Sequence, residues 1–361
     1  MNLGTFGGTR LVLHPTFWLI IAFVGFLGAR AGLGTADVLA EIGFVLALFA
    51  CVVLHEFGHV LSARRYGIRT ESVTLYPIGG VARLERMPQR PSEELVIAVC
   101  GPLVNVAIAV PLGLFSLLVE SAFLGRLALA NALLVAFNLL PAFPMDGGRV
   151  LRAALAMRMP FSRATAIAAG IGKAMVVPFV FAGVVWNPLL LVIGAFVWLG
   201  ATAEARAAQI GESLAGARVM QASMGQVLAV EPQDRLAHVA ELILDSSQKD
   251  FPVARGGEVI GSLTQADLLR AIGREGPDGI VADIMGGSPP PVDAGAPMQE
   301  AFDLMQRTRA PFLPVTEDGE LVGIVTLENV REFIELRQAM GGQVPIRFQR
   351  VTSDPEPAVL N

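Results

Sequence analysis

The sequence predicts a polytopic α-helical membrane domain followed by a smaller α/β domain built from a duplicated unit. Three observations carry this. First, 53% of the 361 residues are hydrophobic and 16% are charged, with a mean hydropathy of +0.58; soluble domains average about 25% charged residues. Second, the apolar excess is concentrated before residue 205, and the remainder reads as ordinary globular protein. Third, landmarks in the remainder recur at one offset of 62 residues, Pro252 to Pro314, Thr264 to Thr326 and Asp267 to Asn329, which marks a duplicated unit. The expected domains are 1–210, 211–340 and a tail, 341–361, whose Pro345, Pro355 and Pro357 among few apolar residues read as disordered.

Six apolar runs are long enough, or nearly so, to cross roughly 30 Å of hydrocarbon: residues 11–29, 38–61, 95–119, 124–143, 164–186 and 189–203. The first lacks a small-residue cleavage site and reads as a retained span rather than a signal peptide. Asn187-Pro188 makes a tight hairpin between the last two. The loop after the second run carries Arg64, Arg65, Arg69, Arg83, Arg86 and Arg90, and the loop after the fourth carries Arg149, Arg152, Arg158 and Arg163. The opposite side carries Arg30 and Arg126. By the positive-inside rule the arginine-rich loops, the N-terminus and the C-terminal domain are cytoplasmic. Residues 69–85 break the pattern: β-formers flank Pro77 and Gly79-Gly80, which predicts a hairpin at or dipping into the membrane surface. Each repeated unit reads as helix, strand, strand, helix. The net charge of -5 gives no reason to expect nucleic-acid binding. Cys51 and Cys100 both lie in apolar runs, so neither a disulfide framework nor a cysteine zinc site is available.

The chemistry centres on His55-Glu56-Phe57-Gly58-His59, inside the second run. Residues four apart share a helix face, so His55 and His59 can hold one zinc ion with Glu56 beside it as general base. Ionisable groups at membrane depth are costly and point to function. His55 lies nine residues before Arg64, about 14 Å along a helix. A catalytic zinc site takes a third protein ligand. His238 falls in the soluble part, whereas His14 starts the first run; the stronger candidate is Asp146, in a stretch broken by Pro141, Pro144, Gly147 and Gly148. Unwound backbone at membrane depth is tolerated where it lines a protein cavity, but that loop must fold inward to meet the histidines. Lys173, ten residues beyond Arg163, lines a water cavity, pairs with Glu41 or another carboxylate, or snorkels.

His55–His59, Gly101-Pro102-Leu103-Val104-Asn105 and Asn138-x-x-Pro141-x-x-Pro144-Met145-Asp146-Gly147 together resemble the site-2 protease family of intramembrane zinc metalloproteases. The duplicated unit resembles a tandem pair of CBS domains, which some members carry at the C-terminus. The resemblance implies one zinc ion held by His55, His59 and Asp146, with Glu56 as base. It implies that Asn105 and Asn138 orient substrate backbone or stabilise the oxyanion, and that the Gly79-Gly80 hairpin pairs with an unwound substrate strand. The substrate would be a membrane protein, such as an anti-sigma factor or a membrane-tethered transcription regulator, met in the lipid bilayer. For the CBS pair it implies an adenine nucleotide, ATP or AMP, with Thr264 and Thr326 near phosphate and Asp267 accepting from ribose. Asn329 replaces the second carboxylate, so one competent nucleotide site is expected rather than two. Pairing of two chains through the CBS repeats is expected as well. The rival expectation is a CBS-gated ion channel or transporter, with the intramembrane His, Glu and Asp lining a cation path.

Overall fold

A computed structural model describes residues 1–340, apart from Ile78, Met87, Gln89, Gln226, Ser247 and the side chain of Glu275. The tail expected to be disordered lies outside the described residues. The chain divides into two compact units after Ala208.

The first unit opens with strands β1 (Asn2–Phe6) and β2 (Thr9–Leu13), followed by helices α1 (Phe17–Arg30) and α2 (Thr35–Arg65). Then come β3 (Thr70–Tyr76) and β4 (Gly79–Leu84), and helices α3 (Pro91–Leu118), α4 (Ala122–Asn138), α5 (Asp146–Ala156), α6 (Phe161–Val185) and α7 (Leu189–Leu214). Among the described residues, α2, α3, α6 and α7 are long and apolar enough to cross a membrane, while α1 and α4 are shorter apolar helices. The six expected spans are thus four long helices and two short ones. The first run is the plainest correction: residues 11–13 belong to a strand, and α1 has only 14 residues, about 21 Å of rise. Asn187 caps α7 through its Oδ1, which accepts from the Leu189 N–H at 3.0 Å.

The strands form one sheet in the order β1-β2-β3-β4, so among the described residues one edge of β4 is unpaired. β3 and β4 are the expected hairpin, antiparallel, with Tyr76 opposite Gly79. β2 runs parallel to β3, with Leu11 opposite Val73 and Leu13 opposite Leu75. These four side chains are buried against Phe17, Phe49 and Val60 of α1 and α2. The alternation along each strand sends its apolar side to the helices, and this core is what lays β4 over α2.

The second unit contains α8 (Leu236–Asp245), β5 (Asp250–Arg255), β6 (Glu258–Thr264) and α9 (Gln265–Glu275). After α10 (Val281–Ile284) and β7 (Val292–Asp293), it repeats as α11 (Met298–Thr308), β8 (Phe312–Glu317), β9 (Glu320–Thr326) and α12 (Leu327–Ala339). Starts at 236, 250, 258 and 265 are answered at 298, 312, 320 and 327, so the 62-residue offset holds for all four repeated elements. Each half has its own core, one around Phe251, Val253 and Leu263, the other around Leu313, Val315 and Val325.

Candidate metal centre

The site is built where α2 and α3 pack tightly together at Gly58 and Cys100. A Cβ on Gly58 would lie 2.8 Å from the Cys100 carbonyl oxygen, so only glycine permits this approach. At the next residue, a Cβ on Gly101 would overlap the His59 imidazole and lie 2.8 Å from His55 Nε2. Gly101 thus leaves room where both rings converge.

Asp146 arrives from the broken stretch after α4. Ala142, Phe143 and Met145 are buried, and Asp146 begins α5. A Cβ on Gly147 would lie 2.5 Å from the Leu139 carbonyl carbon, and one on Gly148 would lie 2.7 Å from the Phe143 nitrogen. The two glycines therefore let the returning chain press against the start of α5, which is the inward fold that Asp146 requires. Behind it, Arg152 is 1% exposed and acts as a clamp. It donates from Nε to Glu94 of α3 at 2.9 Å and from Nη1 to Glu204 of α7 at 2.7 Å. Its guanidinium also stacks 4.9 Å from the ring centres of Phe143 and Phe161. Arg152 is therefore internal structure, although in sequence it reads as one of the positive loop charges.

The donor atoms form a tight triangle. His55 Nε2 lies 3.1 Å from His59 Nε2, and Asp146 Oδ2 lies 3.2 and 3.3 Å from them. Among the described residues these three make up the group able to share a metal ion. His59 Nδ1 donates to the Ile97 carbonyl at 2.7 Å, and His55 Nδ1 donates to Asn105 Oδ1. Both Nδ1 atoms carry protons, so both Nε2 atoms present lone pairs to one point. Asp146 Oδ2 is buried there without a hydrogen-bond partner. With both rings neutral, three acceptors converge on one point, an arrangement that suits a cation. Donors about 2.0–2.1 Å from a tetrahedral ion stand about 3.3–3.4 Å apart, so the donor set fits zinc.

Glu56 is half-buried beneath β4: a Cβ on Gly80 would lie 2.5 Å from its Cγ and 2.9 Å from its Oε1. Gly79 next to it has φ +140°, a conformation open to glycine. Asn138 is half-buried at the last position of α4. Asn105 is fully buried, and both ends of its amide are engaged inside the protein: Oδ1 accepts from His55 and Nδ2 donates to Asn131 Oδ1 at 2.8 Å. The Asn105 amide thus faces His55 and Asn131. His14 is not in the donor group: its ring stacks on Tyr76 at 4.7 Å and its Nδ1 lies 2.7 Å from Thr16 Oγ1. Glu41 pairs with Arg126 through two bonds of 2.8 Å, while the Lys173 ammonium sits 5.3 Å from the Trp198 ring centre.

In the second unit Thr264 and Thr326 cap α9 and α12, each accepting from the N–H three residues on at 3.1 Å. Asp267 Oδ2 accepts from the Thr264 hydroxyl at 2.6 Å, and its Oδ1 pairs with Arg270. Lys249, just before β5, pairs with Glu328 of the other repeat at 3.3 Å.

A short catalytic helix motif, a converging His-His-Asp donor set and membrane-spanning helices define a metal-dependent membrane hydrolase. Comparison with known proteins gives the family. The model of peptidase family M50 matches residues 43–121 and 118–179, and the CBS domain model matches 218–274 and 281–336. A zinc metalloprotease of Methanocaldococcus jannaschii is 31% identical over 342 residues, covering 92% of this chain and 96% of its own. Stage IV sporulation protein FB of Bacillus subtilis is 30% identical over 159 residues, 43% of this chain and 51% of its own. The solved site-2 protease from Methanocaldococcus jannaschii is 36% identical, covering 57% of this chain and 95% of its own, with a TM-score of 0.46. The chain belongs to the site-2 protease family (peptidase M50) and is a zinc metalloprotease with a C-terminal CBS domain pair.

Proposed function

We propose that this protease cuts transmembrane segments of other membrane proteins, in the manner of regulated intramembrane proteolysis. The observation that carries the reading is the position of the His55, His59 and Asp146 triangle among long apolar helices, with Glu56 beside it packed under Gly80 of the edge strand β4. A helical peptide hides its scissile carbonyl, so the segment must unwind before it can react. β4 offers the unwound strand backbone partners along its free edge. Gly80, lacking a side chain, leaves Glu56 room directly against this strand.

His55, His59 and Asp146 hold the metal. A zinc ion bound there supplies Lewis acidity towards a peptide carbonyl and makes water acidic enough to react near neutral pH. Glu56 takes the proton from the attacking water and delivers it to the leaving amine. Asn138, at the mouth of the broken loop, donates to the substrate backbone or the oxyanion. Asn105 holds His55 instead. The family match favours this reading over a gated channel or transporter. The substrates are membrane proteins such as anti-sigma factors or membrane-tethered transcription regulators. With Arg152 set aside as internal, the remaining arginines still favour cytoplasmic placement of the N-terminus and the CBS pair. The test is a proteomic comparison of membrane stubs in cells carrying the native protein or Glu56→Gln. Full-length or pre-trimmed precursors should accumulate only with Glu56→Gln, and identical stub profiles would refute the reading.

For the CBS pair we propose an adenine nucleotide, ATP or AMP, bound at Thr264 and Asp267 with Thr326 from the second repeat. Two chains would associate through the same repeats. Thr264 already caps α9, so the ligand meets a helix N-terminus. The ribose hydroxyls would take Asp267 Oδ1 from Arg270. Titration of the full chain with AMP and ATP checks this. Asp267→Ala should lose most of the binding, whereas Asn329→Ala should lose little, because the Asn329 Oδ1 is turned to Thr326. A flat titration of the native chain would contradict nucleotide binding.

A further inference from the structure

The two zinc-site histidines are held in different ways. His59 Nδ1 donates straight to a backbone carbonyl, that of Ile97. His55 reaches a carbonyl only through two side-chain amides. Its Nδ1 donates to Asn105 Oδ1, Asn105 Nδ2 donates to Asn131 Oδ1 at 2.8 Å, and Asn131 Nδ2 donates to the Leu127 carbonyl at 2.9 Å. Asn105 and Asn131 are both fully buried, so water does not compete for these bonds.

Every hydrogen bond in this chain points the same way, and the last acceptor explains why. A carbonyl oxygen can only accept. Asn131 must therefore turn its NH2 to Leu127 and its oxygen to Asn105. Asn105 must then turn its NH2 to Asn131 and its oxygen to His55. His55 is left to donate from Nδ1, and its Nε2 lone pair faces Asp146 and His59. Asn105 alone does not force this result. An amide has a donor end and an acceptor end of nearly equal shape, and turned over it would present NH2 to His55. The ring would then accept at Nδ1 and carry its proton on Nε2, where the metal has to bind.

We propose that Asn131 is a positioning residue of the zinc site, which locks the Asn105 amide and through it fixes His55 as a metal ligand. It touches neither metal nor substrate. Partners that orient a ligating histidine typically contribute about 10–100-fold to metal affinity, and hydrogen-bonded side chains acting through one another give non-additive losses. The inference rests on zinc binding at His55, His59 and Asp146.

The test is zinc affinity of the full-length protein in detergent, measured by competition with a chelator, with thermal stability of the metal-free protein recorded alongside. Asn131→Leu should bind zinc about 10–100-fold more weakly. The same loss is expected of Asn131→Ala, so one folded variant of the two suffices. Asn131→Asp should stay within a few-fold of native, because a buried protonated carboxyl can donate to Leu127 and accept from Asn105. In an Asn105→Leu background, Asn131→Leu should cost nothing further. Native zinc affinity in Asn131→Leu or Asn131→Ala would overturn the proposal. So would losses at Asn105 and Asn131 that simply multiply, the mark of two independent packing defects. If the native chain itself bound no zinc, the metal-site reading would fail first, which separates the two.

Discussion

Glu56→Gln is expected to slow proteolysis by roughly 10²–10⁴-fold, the usual contribution of a positioned general base, with the bound metal retained. Glu56 follows His55 on α2, so it stands next to the donor triangle, yet it contributes no atom to it. Its side chain is packed under Gly80, where a single added Cβ would collide with its Cγ. Glutamine has nearly the same size and fits the same space. What it loses is the ability to take a proton from water. The variant should therefore fold, bind zinc at the native stoichiometry and fail to cleave. Cleavage of a co-expressed membrane substrate and zinc content, measured on the same preparations, check this. A near-native rate would remove Glu56 from the mechanism.

Gly101→Ala is expected to abolish zinc binding. The methyl group would overlap the His59 imidazole and approach His55 Nε2 to 2.8 Å. Neither ring is free to move aside. His59 is tied to the Ile97 carbonyl and His55 to Asn105. Gly101 itself lies inside α3, whose backbone is pressed against α2 at Gly58. Relief therefore has to come from separating the rings or the helices, and either change opens the donor triangle. Gly43→Ala in α2 is the control, since nothing lies within 4 Å of the added Cβ. In a helix that exchange removes backbone freedom from the unfolded chain and is stabilising by about 0.5–1 kcal/mol. Zinc measured in the two purified variants separates a steric effect at the site from a general glycine effect.

Much of this site is legible in the sequence because its strongest signals are local. The His55–His59 spacing, the hairpin at Gly79-Gly80 and the 62-residue repeat each depend on neighbours in the chain. The conflict between His14 and Asp146 is not local. It is settled by how Gly147 and Gly148 let the loop press back onto α5, and by His14 stacking on Tyr76. The N-terminal strands were hidden because Leu11-Val12-Leu13 runs on into an apolar helix. The alternate burial of Thr9, Leu11 and Leu13 is the period-2 signal beneath it. Arg152 reads as a loop charge because sequence shows its sign but not its partners, Glu94 and Glu204. Asn131 could have been found: it is an uncharged polar residue in an apolar helix, and the reasoning that singled out His55 applies to it. For Asn105 the family resemblance marks a position as part of the site, and the contacts to His55 and Asn131 add which way its amide is turned.

The most direct test of the central claim is elemental analysis of the purified full-length protein. About one zinc per chain is expected, as the one donor triangle among the described residues requires, and it should be lost from the His55→Ala, His59→Ala double variant. Zinc at full stoichiometry in that double variant would contradict the assignment of the metal centre.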